Sequence, residues 1–134
     1  MIEVYSENID VATNESIALN VVKLLKGCSV NQQGASSLIF NKCGIYEVKV
    51  DAYATATGAG DISVQMRQNG VLQPAAQSAV TAADATSVNP MSFTTLVQVP
   101  VNNSNCPCNI PTTIDFVNTG VNANYYFHVV VTKI

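Results

Sequence analysis

The amino-acid sequence predicts an all-β sandwich or barrel, and three observations lead there. Apolar residues recur with period two in several separate runs, turn-forming residues punctuate those runs at short intervals, and no stretch carries a convincing long helical pattern. Roughly seven to nine short strands are read this way, which suits a sandwich or barrel. With 134 residues the chain supports one domain and is too short for two separate cores.

Apolar residues make up 48% of the chain and charged residues only 11%, well under the usual quarter, so uncharged Asn, Gln, Ser and Thr must cover much of the surface. The net charge of −3 comes from six basic and nine acidic residues, which argues against nucleic-acid and anionic-membrane partners. The start, Met1-Ile2-Glu3-Val4-Tyr5, lacks the basic and apolar regions of a secretory signal. Apolar runs such as Val129-Val130-Val131 fall far short of the roughly 20 residues of a membrane helix.

Taken in order, residues 1–15 form either a first strand or an attachment arm. Ile2, Val4, Ile9 and Val11 make the segment too apolar for a disordered tail. An outer strand that also contributes to attachment is favoured, with Ile2, Val4 and Tyr5 as contact residues. Ile17, Leu19 and Val21 alternate as in a strand, whereas Ile17, Val21, Leu24 and Leu25 also fit a helical face; β-branched content favours strand. Ser37-Leu38-Ile39-Phe40 is a short strand before the Asn41-Lys42-Cys43-Gly44 turn.

From Gly44 the alternation is clearest: Tyr46, Val48, Val50, Ala52 and Ala54 against Ile45, Glu47, Lys49, Asp51 and Tyr53. A turn at Thr57-Gly58-Ala59-Gly60 leads to a second strand with Ile62, Val64 and Met66 on one face. Asn69-Gly70 is a strong hairpin signal, because a type I′ turn needs positive φ at both central positions. Val71-Leu72 starts the return strand, and Pro74 ends it or places it on an edge. Residues 73–89 are either a long loop or a weak strand. Phe93, Thr95, Val97, Val99 and Val101 form another period-two set, with Leu96 suggesting cover on the second face as well. Residues 101–111 read as a loop. A short strand (Thr112, Ile114, Phe116), an Asn118-Thr119-Gly120 turn and a last strand from Tyr125 to the C-terminus complete the chain.

The run Phe40-Asn41-Lys42-Cys43-Gly44-Ile45-Tyr46-Glu47-Val48 resembles the opening of the central strand in TNF/C1q-like jelly rolls, where a strand ends at a turn and Gly-x-Tyr begins the next. Ile62 to Gly70 is similar to that family's following strand and hairpin, and Phe127 to Ile134 to its closing strand. Within the family the chain resembles C-terminal domains of bacterial spore-surface collagen-like glycoproteins and small structural proteins of phages infecting Firmicutes. Thr94 to Val99, a Cys-rich loop and Phe116-Val117-Asn118-Thr119-Gly120 are similar to the phage set. The likeness spans residues 16–134, the jelly-roll domain proper, and lacks a collagen-like Gly-x-y stalk. It implies a jelly-roll sandwich of about eight to ten antiparallel strands, assembled as a homotrimer, and by itself implies no ligand.

Candidate sites are few. Four cysteines allow three pairings; Cys106-Pro107-Cys108 has the wrong spacing for zinc and too small a ring for an easy disulfide. A Cys28–Cys43 disulfide is possible if the flanking strands pair, but free or partly buried thiols are favoured. His128, the only histidine, shares a strand face with Tyr126 and Val130. This face is expected at a trimer interface, where protonation of three neighbouring imidazoles would cost assembly stability. The scattered carboxylates give no calcium pattern, and no hydrolase, zinc-protease or phosphate-loop motif occurs. No catalytic residue, metal or cofactor is expected.

The sequence therefore points to a non-enzymatic structural protein of a phage virion: a trimeric head decoration, head-fibre or auxiliary capsid protein, made in the host cytoplasm without a signal peptide. Its partners would be its own copies and capsid or other particle proteins, and a contact with the host surface is compatible with that role. The alternative is a carbohydrate- or receptor-binding adhesin domain of a bacterial or spore surface, with a host glycan as partner and Tyr5, Tyr53 or residues 102–109 as its site. A metal-dependent jelly-roll enzyme needs several ligating histidines and ranks well below both.

Overall fold

The computed structural model describes residues 1–100 and 112–134; the loop expected at 101–111, with Cys106 and Cys108, lies outside them. Ten strands form two antiparallel five-stranded sheets. They are β1 (Ile2–Val11), β2 (Val21–Leu25), β3 (Val30–Gln33), β4 (Ser37–Phe40), β5 (Gly44–Ala56), β6 (Gly60–Gln68), β7 (Val71–Ala82), β8 (Asn89–Val99), β9 (Thr112–Asn118) and β10 (Ala123–Lys133). One sheet runs β2-β1-β10-β5-β8 and the other β3-β4-β9-β6-β7, so the chain crosses between sheets at most of its connections.

The core fills the space between the sheets with the inward set of each strand. Tyr125, Phe127, Val129 and Val131 of β10 are buried, as are Tyr46, Val48, Val50, Ala52 and Ala54 of β5. Phe116 of β9 bridges the layers: its ring centroid lies 5.2 Å from that of Phe127 and 6.3 Å from that of Phe93. The Gly-x-Tyr motif has a physical role here. Tyr46 is fully buried, its ring is 4.5 Å from Phe40, and its hydroxyl donates to the Lys42 carbonyl at 2.6 Å, tying the β4–β5 turn to the core. The Asn69-Gly70 turn has positive φ at both residues, 52° and 83°, as a type I′ hairpin requires.

Several elements differ from the sequence expectation. Of the two outcomes expected at Pro74, the structure has the edge strand and not the strand end: β7 runs to Ala82, is outermost in its sheet and pairs only with β6, so a missing N–H is tolerated at the shift in register beyond Gln65. The segment before β2 is neither a helix nor a full strand. Ile17 and Leu19 are buried in extended backbone that crosses to the other sheet, bonded from Ile17 N to Phe116 O (2.8 Å) and from Leu19 N to Ala35 O (2.7 Å). β1 is a strand inside its sheet, flanked by β2 and β10, and β2 takes the outer place. The strand carrying Leu96, expected to be covered on both faces, is covered on one within a single chain: Leu96 is 61% exposed because it alternates with the buried Val97 and Val99 and points to the outer face.

Buried polar groups fix the ends of the sandwich. Ser6 donates to Ala18 O and accepts from Asn20 N, latching the crossing segment onto β1. Asn118, fully buried, donates to Val11 O and Val121 O and accepts from Gly120 N and the Tyr125 hydroxyl. On the outside of the second sheet, Arg67 forms a two-pronged pair with Asp115, joined by Ser16, which holds the same crossing segment against β6 and β9.

The Asn118-Thr119-Gly120 turn lies flat against β6: a Cβ at Gly120 would sit 2.3 Å from Asp61 O and 2.6 Å from Ser63 N. Gly120→Ala should therefore destabilise the fold by about 3 kcal/mol, read as a lower denaturant midpoint. Gly58→Ala, with nothing within 4 Å, should leave the midpoint unchanged. Equal midpoints for both variants would refute this role for the turn.

Candidate functional site

Because successive side chains alternate, the inward set of each strand dictates which residues face out. On the β2-β1-β10-β5-β8 sheet the outward set can be read in rows from the strand registers. One row holds Leu24, Glu3, Val130 and Lys49; the next holds Val21, Tyr5, His128 and Asp51; beyond it Tyr126 stands beside Tyr53 and Tyr53 beside Pro90. In the opposite direction come Thr132, Glu47 and Leu96, then Ile45 beside Gln98.

The tyrosine rows enclose an open groove of about 520 Å³, lined by Tyr5, Glu7, Lys23, Asp51, Tyr53, Tyr126 and His128 with parts of Ser6 and Phe127. A second hollow continues from Asp51 and Tyr53 over Pro90 and Ser92. A bulge shapes one wall: the β1–β10 register shifts between Ser6 and Ile9, and Asn8 adopts a left-handed φ of 54°. Tyr53 and Tyr126 are 56% and 50% exposed, so two phenol rings stand open on neighbouring strands.

A small charge network borders the groove. The His128 Nε2 lies 2.6 Å from Glu3 Oε2, and since a carboxylate only accepts, the imidazole N–H donates. Lys23 Nζ reaches the same oxygen at 3.4 Å. The hydrogen bond from His128, with help from Lys23, holds the Glu3 carboxyl below its ordinary value. A histidine and a carboxylate make two parts of a hydrolytic triad. The serine lining this groove, Ser6, is only 1% exposed and its hydroxyl is committed to Ala18 and Asn20. Among the described residues no cluster of three His, Cys, Asp or Glu side chains could hold a metal ion.

The residues singled out by sequence are only partly brought together. Tyr126 and His128 line the groove, with Tyr5 across the strand from His128, while Val130 sits one row further along between Glu3 and Lys49. Ile2 and Val4 are a correction: they are fully buried core residues, because on a single strand they point away from Tyr5, and they offer nothing for surface contact. The Cys28–Cys43 bridge is not formed. Cys28 is an exposed free thiol between β2 and β3, and Cys43 is half-buried in the β4–β5 turn. Residues 102–109, the loop named for the adhesin alternative, lie outside the described residues. Glu7, Lys23 and Asp51 were missed; their alternation with core residues was the signal that places Asp51 on the outer face.

No protein-family model matches the chain, and no curated protein matches it by sequence. Solved structures do match. The globular domain of zebrafish complement 1qA superposes with a TM-score of 0.65 over 99% of this chain and 97% of that one, at 7% identity. Murine APRIL gives 0.62 over 99% and 98%, at 12% identity. The PRD1 vertex protein P5 gives 0.56 over 99% and 95%, at 13% identity. At such identities the likeness is one of fold, and the chain has the two-sheet jelly roll of the TNF/C1q-like domains.

Proposed function

We propose that this chain is a non-enzymatic structural protein of a phage virion, a homotrimer that decorates the head or forms part of a head fibre. One observation carries the reading. Of the thirteen exposed large apolar side chains among the described residues, six (Val21, Leu24, Ile45, Tyr53, Leu96 and Tyr126) belong to the outward rows of the β2-β1-β10-β5-β8 sheet, and two lie on the other sheet. Such one-sided exposure favours association. The aliphatic members gather towards the end where β1 starts and β10 ends: Leu24 beside Glu3 and Val130, then Leu96 and Ile45. Lys49 stands between Glu47 and Asp51 on β5, so the face carries both charge signs and can pair with a rotated copy of itself. The shared fold with a vertex protein, PRD1 P5, supports a place on a particle.

Within this assembly His128 is not bare. Glu3 at 2.6 Å sets a negative charge against each imidazole, which reduces the repulsion expected if three copies approach one another. A second reading, an adhesin domain of a bacterial or spore surface, is favoured by the tyrosine groove.

Light scattering of the purified full chain should give three times the 14.2 kDa chain mass at micromolar concentration. Leu96→Asp should shift it towards monomer with circular dichroism unchanged, since Leu96 is exposed in the single chain and a carboxylate there, opposite Glu47, would be buried unpaired between copies at a cost of roughly 2 kcal/mol or more. A wild-type monomer at that concentration would remove the trimer.

The Glu3 carboxyl has a lowered folded value, so its contribution to stability is present above the unfolded carboxylate value of about 4.3 and is lost as pH falls through the folded one. The melting temperature gap between wild type and Glu3→Gln should be open at pH 5 and close as pH falls below about 4. A gap that persists at pH 3 would show that the carboxylate charge is not its source.

A further inference from the structure

The outer face of the β2-β1-β10-β5-β8 sheet is divided. Leu24, Val130, Leu96 and Ile45 lie towards one end and Tyr53 and Tyr126 at the other, and with a rise of about 3.4 Å per residue Tyr126 stands roughly 14 Å along β10 from Val130. Contacts between copies through Val130, Leu24 and Leu96 therefore leave room for the tyrosine groove to open beside them. We infer that this groove binds a neutral oligosaccharide, held on Tyr53 and Tyr126 and oriented by Asp51 and Glu7.

The chemistry of the lining selects that ligand class. Tyr53 and Tyr126 are direct cross-strand partners, which places their Cβ atoms about 5 Å apart and sets two half-exposed phenol rings on the same face. The flat C–H face of a pyranose ring stacks on such a surface and loses little hydration in doing so. Around the rings stand the groups a polyol needs. Asp51 and Glu7 accept from sugar hydroxyls; Lys23 and the phenols donate. The groove volume of about 520 Å³ falls in the range of small-molecule sites.

Charge excludes the anionic sugars. Glu7 and Asp51 outnumber Lys23 in the lining, and Lys23 and His128 are already engaged by Glu3, so a sialic acid, uronic acid or phosphate would meet net repulsion. A shallow groove binds weakly one at a time, and three copies on one particle would raise the avidity without new contacts. The inference deepens the adhesin reading of the tyrosine groove and rests on it, and the groove lies within a single chain, so it does not depend on the trimer.

The test is a titration of the full chain with lactose, maltotriose, cellotriose and mannotriose, with sialyllactose as the anionic control, followed by calorimetry and by amide chemical shifts. Saturable binding of at least one neutral sugar is expected, with shifts centred on Tyr53, Asp51 and Tyr126. Tyr53→Ala and Tyr126→Ala should each weaken it tenfold or more, and Asp51→Asn several-fold, while Glu47→Gln leaves it unchanged. Both tyrosines are half exposed, so the variants should keep the wild-type melting temperature, which checks that lost binding is not lost folding. No binding of any neutral sugar at millimolar concentration, binding unaffected by both tyrosine variants, or tighter binding of sialyllactose would overturn the inference. Light scattering on the same samples keeps the two ideas apart: a trimer without sugar binding sinks only the groove, and a sugar-binding monomer sinks only the assembly.

Discussion

The structure depends on one constraint: a strand buried on one side through alternate residues has no choice about what it shows on the other. β10 illustrates it. Tyr125, Phe127, Val129 and Val131 must face Phe116 and the opposite sheet, so Tyr126, His128 and Val130 must face outward. A slip of one residue would bury a histidine and expose four large apolar side chains. The register of β10 with β5 is unbroken over its whole length, and that continuity sets Tyr126 beside Tyr53 and His128 beside Asp51. The groove is thus the outer surface of a core arrangement, and its geometry is as fixed as the core.

Few ionic groups are needed to specify such a fold, because neutral polar side chains do the fixing at the points where the chain changes sheet. Ser6, Tyr46 and Asn118 are all buried, and each places its polar atoms on backbone groups that would otherwise lack partners. Among the described residues no buried side-chain nitrogen or oxygen is left without a partner. Satisfied groups of this kind cost little and exclude alternative registers. Arg67 and Asp115 add the one two-pronged ion pair on the second sheet, and Ser16 links it to the crossing segment. An interior tied in this way leaves most charges free for the surface.

The parts legible in the sequence were those with long inward sets or unambiguous turns. β5 and β10 carry enough alternating residues to set both faces, and Asn69-Gly70 admits few conformations. β3 was not legible, since Val30-Asn31-Gln32-Gln33 has a single apolar residue and is held by pairing with β4 rather than by its own pattern. The continuation of β7 past Pro74 was obscured because its small Ala and Ser residues contribute little to a hydrophobic pattern, and only its edge position makes the proline harmless. At the site, Tyr126, His128 and Tyr5 could be placed by counting. Ile2 and Val4 were joined to Tyr5 although alternation on one strand forbids it; apolar character was taken for contact, and it signified core. The Glu3–His128 pair joins residues 125 apart in sequence and depends on the β1–β10 pairing, which no local pattern reveals.

A chain this poor in charge suggests a greasy outer wall hidden between copies, and the wall turns out to be mixed. Glu3, Glu7, Lys23, Glu47, Lys49 and Asp51 all belong to strands of the face that carries Val21, Leu24, Ile45, Tyr53, Leu96 and Tyr126 among the exposed apolar side chains. Burying that face whole would strip water from six charges, at a cost that apolar contact alone does not offset. An interface that instead covers the aliphatic end, and sets Lys49 of one copy near Glu47 or Asp51 of the next, buries Val130, Leu24 and Leu96 while pairing the charges beside them. The same economy leaves the tyrosine end wet, where open phenol faces and carboxylates have more to gain from a hydroxyl-rich ligand than from another protein surface. The proposed division of the face therefore asks most of its assembly end, where Glu3, Lys49 and Glu47 stand in the same rows as Leu24, Val130 and Leu96 and need partners across the interface.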